Sequence, residues 1–163
     1  MAVKFEVKTK DEGRLARALR GLKSFSSASV HVGFLRGVQE HRKGDPLTNA
    51  LLGYVHEFGS DAAGIPARPF LMPALDAKRK DAADRIEKAL VKASDGDLFA
   101  VPQALAVIGT DIRDTAKENI IASSGMAPLK ASTLKARQRS GFKGTKPLIR
   151  TAQLLNAITY KVN

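Results

Sequence analysis

Two adjacent polar residues, His56 and Glu57, stand before a loop rich in glycine and proline and could form half of a zinc peptidase helix. That helix needs a second histidine four residues after the first, so that both imidazoles face one metal ion. Position 60 is Ser60, and Gly59 is expected to end the helix before a second ligand could appear. The spacing therefore argues against a metal site.

Other catalytic patterns are also missing from the sequence. No Gly-x-Ser-x-Gly elbow occurs, and Gly141 and Gly144 do not have the spacing of a phosphate-binding loop. The acidic residues of 76–87 alternate with Lys and Arg, as on a solvated helix. There is no cysteine to serve as nucleophile or ligand. We therefore predict that the protein is not an enzyme and needs no cofactor or metal.

Length and composition predict one globular domain over residues 1–163. Apolar residues make up 44% of the chain and charged residues 26%. No window holds 18 consecutive apolar residues, and the N-terminus lacks the apolar run of a signal peptide. We expect a protein that does not enter the membrane and is made or assembled in the cytoplasm.

The net charge of +11 is concentrated towards the C-terminus, because no acidic residue follows Glu118. The candidate assembly or DNA-facing residues of this region are Lys135, Arg137, Arg139, Lys143, Lys146 and Arg150. Such a surface can meet an acidic protein partner or bind the phosphates of nucleic acid. No aromatic residues interleave with the charges as in a single-strand binding groove, which favours a solvated face or a surface for an acidic protein partner over nucleic acid.

Hydrophobic periodicity predicts three strands, at 2–8, 27–34 and 157–162, and helices between them. The helices are expected at 12–23 and 47–58, from Pro69 to the SDGD turn at 94–97, from about Leu98 to Ile121, and in two short stretches near 132–139 and 149–157. Polar, glycine-containing loops at 36–46 and 139–147 are predicted to be mobile. The fold class is α+β: a small antiparallel sheet with helices, two of them long, packed on one face.

Apolar stripes indicate which side of each helix faces the core. In the 47–58 helix the stripe consists of Leu47, Leu51, Tyr54, Val55 and Phe58. In the next helix the inward positions are Leu71, Leu75, Ile86, Leu90 and Val91. In the second long helix they are Leu105, Ile108, Ile112 and Ile120.

Two stretches together resemble the small neck proteins of tailed bacteriophages, known as head–tail joining, tail completion or virion morphogenesis proteins. The first is YVHEFGSDAAGIPARPFLMPAL, and the second is LKASTLKARQRSGFKGTKPLIRTAQLLNAITYKV. They cover about 56 of the 163 residues. The resemblance departs at Arg150-Thr151-Ala152, where Asp-Thr-Gly is expected, so the place within the neck stays open between tail terminator, connector and assembly factor.

The resemblance implies a structural virion protein that forms a ring, often sixfold, at the head–tail junction. Its partners would be further copies of itself and the neighbouring neck, connector and tail-tube proteins, with DNA passing through the lumen. The alternative function is a basic nucleic-acid-binding protein that uses its C-terminal third.

The polar pair then belongs to a structural joint. Its residues are His56, Glu57, Gly59, Pro66, Arg68, Pro69, Phe70 and Leu71. The two prolines stiffen the chain around Arg68, and Phe70 and Leu71 anchor it in the core. Arg68 is expected either to pair with Glu57 across the loop or to contact the next subunit of a ring.

Overall fold

The computed structural model describes residues 26–35 and 48–163, together with positions 13, 16, 19, 20 and 23. Those isolated positions and residue 26 are helical, in agreement with the helix predicted over 12–23. The named elements are β1 (Val30–Gly33), α1 (Asn49–Phe58), α2 (Leu71–Ser94), α3 (Ala100–Ala122), α4 (Ala131–Arg139), α5 (Gln153–Ala157) and β2 (Thr159–Val162). The predicted strand 2–8 and the predicted loop 36–46 lie outside the described residues.

The strands β1 and β2 form an antiparallel pair, with Val30 opposite Val162 and Gly33 opposite Thr159. Both strands pack against α3. Gly109 of α3 makes this contact close, because a Cβ there would collide with the ring of Tyr160 and with Val30. The fold is therefore α+β, as the alternating apolar residues predicted.

The long helices α2 and α3 form an antiparallel hairpin that carries most of the core. The tight turn between them contains Gly96 at φ 105°. At the other end, Asn119 near the end of α3 donates from Nδ2 to the carbonyl of Phe70, 3.0 Å away. The buried cluster around Phe70 consists of Phe70, Ala74, Ile108, Ile112, Ala116, Ile120 and Ile158. The small residues Ala74 and Ala116, both fully buried, let the two helix backbones approach closely.

The predicted inward positions of α3 are confirmed, because Leu105, Ile108, Ile112 and Ile120 are all buried. The inward prediction for Val91 on α2 is wrong, because its side chain is 58% exposed. The adjacent Ala89 and Ala93 take the buried positions near the turn. In the residues that the structure describes, no helix is both long and apolar enough to cross a membrane.

The inward prediction for α1 is wrong at Leu51, Tyr54 and Phe58, which are exposed, whereas Val55 is half-buried and Leu47 lies outside the described residues. Tyr54 and Phe58 are 62% and 61% exposed, and their rings lie 4.9 Å apart. The buried face instead carries Asn49, Gly53 and Glu57. Gly53 lies against the ring of Phe34, which a Cβ would strike. The buried face of α1 is therefore not its most hydrophobic one. It is set by the close packing of Gly53 against Phe34 and by the hydrogen bonds that Glu57 accepts, which are described next.

Candidate functional site

The carboxylate of Glu57 caps the N-terminus of α2. Oε2 accepts from the backbone N–H groups of Phe70 at 2.9 Å and Leu71 at 3.0 Å, and Oε1 accepts from Met72 at 2.8 Å. The first N–H groups of a helix have no partner within the helix, and the positive end of its dipole favours an anion. Glu57 is buried, and both of its carboxylate oxygens accept hydrogen bonds from the helix terminus that it stabilises.

The chain leaves α1 through Gly59, whose φ is 80°. A Cβ at this position would lie 2.9 Å from the backbone nitrogen of Ala67 and 3.0 Å from the carbonyl oxygen of Ile65. Gly59 is confirmed as the C-cap glycine. Because it has no Cβ, it also leaves space for the returning loop. Ser60 and Ile65 then pair as an isolated β-bridge that closes the loop.

The loop returns beside the end of α1, where the backbone N–H of Arg68 donates to the carbonyl of His56 at 2.7 Å. The two prolines that flank Arg68, Pro66 and Pro69, are exposed. They fix φ in this segment, which keeps the returning strand extended. This bond satisfies the carbonyl of His56, which has no partner within the helix because it lies in the last turn.

The guanidinium of Arg68 is buried, at 5% exposure, and binds backbone carbonyls 59 and 60 residues away. Nε donates to Ala127 at 2.7 Å and Nη2 donates to Pro128 at 2.9 Å. The proposed Glu57–Arg68 ion pair does not form, because the N–H groups of α2 occupy the carboxylate and the two carbonyls occupy the guanidinium. The expected subunit contact through Arg68 is also excluded for this conformation, since the side chain is inside its own chain. Burial lowers the pKa of Arg68 below its ordinary value.

Phe70 is the anchor of the joint. Its side chain is 1% exposed and meets Phe34 edge to face, with ring centroids 6.2 Å apart. Leu71 is half-buried and packs against the same cluster. The sequence predicted both residues as anchors but gave no sign of Asn119, because a helical asparagine that binds a distant carbonyl has no local pattern.

A cavity of about 200 Å³ lies between α1 and the segment that leads into α5. We call it the α1–α5 cavity. Its lining residues are Asn49, Leu52, His56, Leu148, Arg150, Thr151, Gln153 and Leu154. Leu148 and Ala152, which belong to this segment, have φ of 59° and 55°, conformations that side-chain-bearing residues rarely adopt. The segment beside the cavity therefore contains two strained backbone positions.

His56 contributes an unpartnered nitrogen to the wall of this cavity. Its Nδ1 is buried and makes no hydrogen bond in the structure. Burial lowers the pKa of His56 below 6.5, and the positive charge of Arg68 lowers it further. The imidazole is therefore neutral near pH 7.

Most of the predicted basic residues are exposed, although two of them also make contacts within the chain. Lys135, Arg139 and Lys143 lie on the surface of α4 and the following loop. Lys146 donates from Nζ to the carbonyl of Ile121 at 2.7 Å, near the end of α3. Arg150 donates to the hydroxyl of Ser140 at 3.3 Å. Lys146 thereby helps to satisfy the C-terminal carbonyls of a helix.

Arg137 does not belong with these surface residues, because its side chain is only 8% exposed. Its Nη1 donates to the carbonyls of Gly144 at 3.0 Å, Lys146 at 2.9 Å and Ile149 at 3.4 Å. The guanidinium also lies 5.4 Å from the centre of the Phe142 ring. The structure therefore corrects the prediction for Arg137: it holds the 140–149 loop in place and is not presented to a partner.

The joint residues make hydrogen bonds that stabilise the chain. Within the described ranges, no group of three or more His, Asp or Glu residues is placed to hold a metal ion. His56, whose Nδ1 makes no hydrogen bond in the structure, is among the residues that line the α1–α5 cavity.

Comparison with known proteins identifies no family. No protein-family model and no solved structure matches the chain. An uncharacterized protein of Methanocaldococcus jannaschii is 48% identical over 44 residues, which are 27% of this chain and 33% of that protein. The chain thus spans about a third of the length of the curated relative it matches.

Proposed function

We propose that the chain is a structural virion protein of the head–tail junction of a tailed bacteriophage. It forms a ring, hexameric by the family resemblance, that completes or terminates the tail and helps to join it to the head. The partners are further copies of the chain and the adjacent neck, connector and tail-tube proteins. DNA passes through the lumen of the ring.

One observation supports this proposal above the others: the two stretches that carry the resemblance lie close together in the fold. Arg68 of the first stretch donates to Ala127 and Pro128, which directly precede the second stretch. His56 of the first and Arg150 of the second line the same cavity. The motif residues therefore work as parts of one scaffold, as expected of a protein that acts by assembly.

The charge distribution also supports an assembly role. Residues 61–100 hold seven basic and seven acidic residues, whereas the region after Glu118 holds eight basic residues and no acidic one. A ring needs two different faces that fit each other, and two surfaces of unlike charge meet that need without repulsion. The basic surface can face the DNA of the lumen or an acidic neighbouring ring.

The direct test is to delete the gene from the phage genome that carries it and to examine the lysate by electron microscopy. We expect DNA-filled heads and separate tails, and joined virions when the protein is supplied in trans. The purified protein should form a closed species of fixed mass, alone or with tail components. Normal virion yield without the protein would overturn the proposed function.

A second candidate, a nucleic-acid-binding protein, is favoured by the exposure of Lys135, Arg139 and Lys143 on one segment. Binding through phosphate contacts weakens steeply as salt increases, because counterions are released. A titration of duplex and single-stranded DNA at several salt concentrations separates the two candidates. Tight, salt-sensitive DNA binding by a protein that stays monomeric would favour the second.

A further inference from the structure

We propose that copies of this chain join head to tail, with the α2–α3 turn of one copy seated in the α1–α5 cavity of the next. The inference rests on the proposed function, since it names the contact through which subunits of the ring would join. It commits to a second copy of this chain as the occupant of the cavity.

The α2–α3 turn presents an aromatic knob. Phe99 is 74% exposed and Leu98 beside it is 47% exposed. The side chain of Asp97 accepts a hydrogen bond from the backbone N–H of Phe99 at 3.1 Å. The backbone N–H of Asp95 donates to carbonyls in the last turn of α2. The knob is therefore held on a short, hydrogen-bonded turn, so little conformational freedom would be lost on docking.

The α1–α5 cavity fits such a knob in size and chemistry. Leu52, Leu148 and Leu154 supply apolar walls to a volume of about 200 Å³. An apolar cavity of about 150 Å³ is large enough to bind benzene, so a phenyl ring can enter this one. An aromatic side chain that fills an apolar pocket is the usual energetic centre of an interface.

Charge complements this fit. Asp95 and Asp97 precede Phe99 in the same turn, and both are exposed. Arg150 lines the cavity and is exposed at its edge. Opposite charges at the rim of an interface guide the approach and fix the orientation of the partners. Asp97 also lines a groove with Lys92 of the same chain, so Asp95 is the better partner for Arg150 and the better site for a test.

The occupant must come from another copy, because the knob and the cavity lie at opposite ends of the long helices. α2 has 24 residues and is therefore about 36 Å long. Glu57 holds α1 to its first turn, whereas Phe99 follows its last turn. A contact between two different surfaces of identical chains is heterologous, and it closes into a ring or continues as a filament.

The first experiment measures self-association of the full chain by sedimentation velocity over a range of concentrations. Phe99→Ser should weaken association by roughly 30-fold or more, the loss typical of an aromatic anchor. Phe99→Leu should retain most of it. Val107→Ser is the matched control, because Val107 is 41% exposed and lies near the middle of α3, away from both the turn and the cavity. Equal association of the unmodified protein and Phe99→Ser would overturn the contact.

A charge exchange tests the pairing independently of the aromatic residue. Asp95→Lys and Arg150→Glu should each weaken association, and the double variant should recover it, because the pair is restored with reversed signs. Circular dichroism confirms that each variant is folded. A double variant no better than the two singles would count against this orientation of the turn in the cavity.

A covalent test is available because the chain contains no cysteine. Leu98→Cys and Thr151→Cys, placed together in one chain, should give a ladder of disulfide-linked multimers on mild oxidation, and neither single variant should exceed a dimer. An unmodified protein that assembles normally while this ladder fails would overturn the contact but leave the proposed function standing. Normal virion yield without the gene would overturn the function itself.

Discussion

Glu57 accepts a hydrogen bond from the backbone N–H of Phe70 at 2.9 Å across thirteen residues of sequence, and so fastens the end of α1 to the start of α2. The same carboxylate serves two further N–H groups of that turn. Glu57, one of the two residues that could have formed half of a zinc peptidase helix, is thereby the cap of a long helix.

Replacing Glu57 should reveal the strength of this cap. Glu57→Ala should lower the free energy of unfolding by about 2–3 kcal/mol, because three N–H groups lose a charged acceptor. Glu57→Gln should cost about 1–2 kcal/mol, since the amide has one acceptor oxygen and no charge. Glu118→Gln is the control, because Glu118 is exposed on α3. Urea denaturation measures all three, and equal losses at positions 57 and 118 would contradict the cap.

Arg68 and Phe70 should both prove essential to the monomer. Phe70→Ala should cost about 3–5 kcal/mol through the cavity that it leaves. Arg68→Lys should cost about 1.5–3 kcal/mol, because one ammonium cannot reproduce the fork that binds the carbonyls of Ala127 and Pro128. Urea unfolding measures both losses. If Arg68→Lys has unchanged stability but fails to assemble, the role of Arg68 is a contact with the next subunit and not the internal bonds described here.

Arg137 should control the 140–149 loop. Arg137→Ala removes the donor that three loop carbonyls share. The rate of limited proteolysis in this loop should therefore rise about tenfold or more. Arg139→Ala removes the same charge from the exposed side of α4 and should leave the rate nearly unchanged. Equal cleavage of both variants would show that the loop is not held by Arg137.

His56 should make stability depend on pH. Its pKa is lowered in the folded protein, so below about pH 6.5 the unfolded chain binds a proton that the folded chain resists. Stability should therefore fall as pH decreases through this window, until the folded pKa is reached. In His56→Gln the decline should be smaller, whereas His31→Gln, at an exposed position of β1, should keep it. Urea midpoints at about pH 7.5 and 5.5 measure the difference.

Reversing the exposed basic charges should affect assembly without unfolding the chain. Lys135→Glu, Arg139→Glu and Lys143→Glu together should change the stability by less than about 1 kcal/mol, since none of the three is buried. If the proposed function holds, the same triple variant should fail to join heads to tails in complementation. Normal virion yield from the folded variant would contradict this role for the basic surface.

The sequence predicted the elements of the described fold well, because its apolar residues repeat at the periods of strands and helices. The buried positions of α3 followed directly from that spacing. The face of α1 could not be predicted in this way. It is set by three backbone N–H groups that need an acceptor and by a phenyl ring that needs the space beside Gly53.

The partners of the buried arginines were also beyond prediction from the sequence. Arg68 and Arg137 bind backbone carbonyls, which every residue carries, so no side-chain pattern marks them. The sequence suggested an ion pair between Arg68 and Glu57 that the fold does not use. The positions of the joint residues were predictable, and their bonds were not.

The β-bridge between Ser60 and Ile65 has a practical consequence. Residues 61–64 form an exposed turn outside this closure, and both ends of the turn are already fixed by the joint. Extra residues placed between Ala62 and Ala63 therefore extend into solvent at little cost to the fold. A short epitope inserted there would let antibody labelling in the electron microscope test whether the protein lies at the head–tail junction, as the proposed function requires.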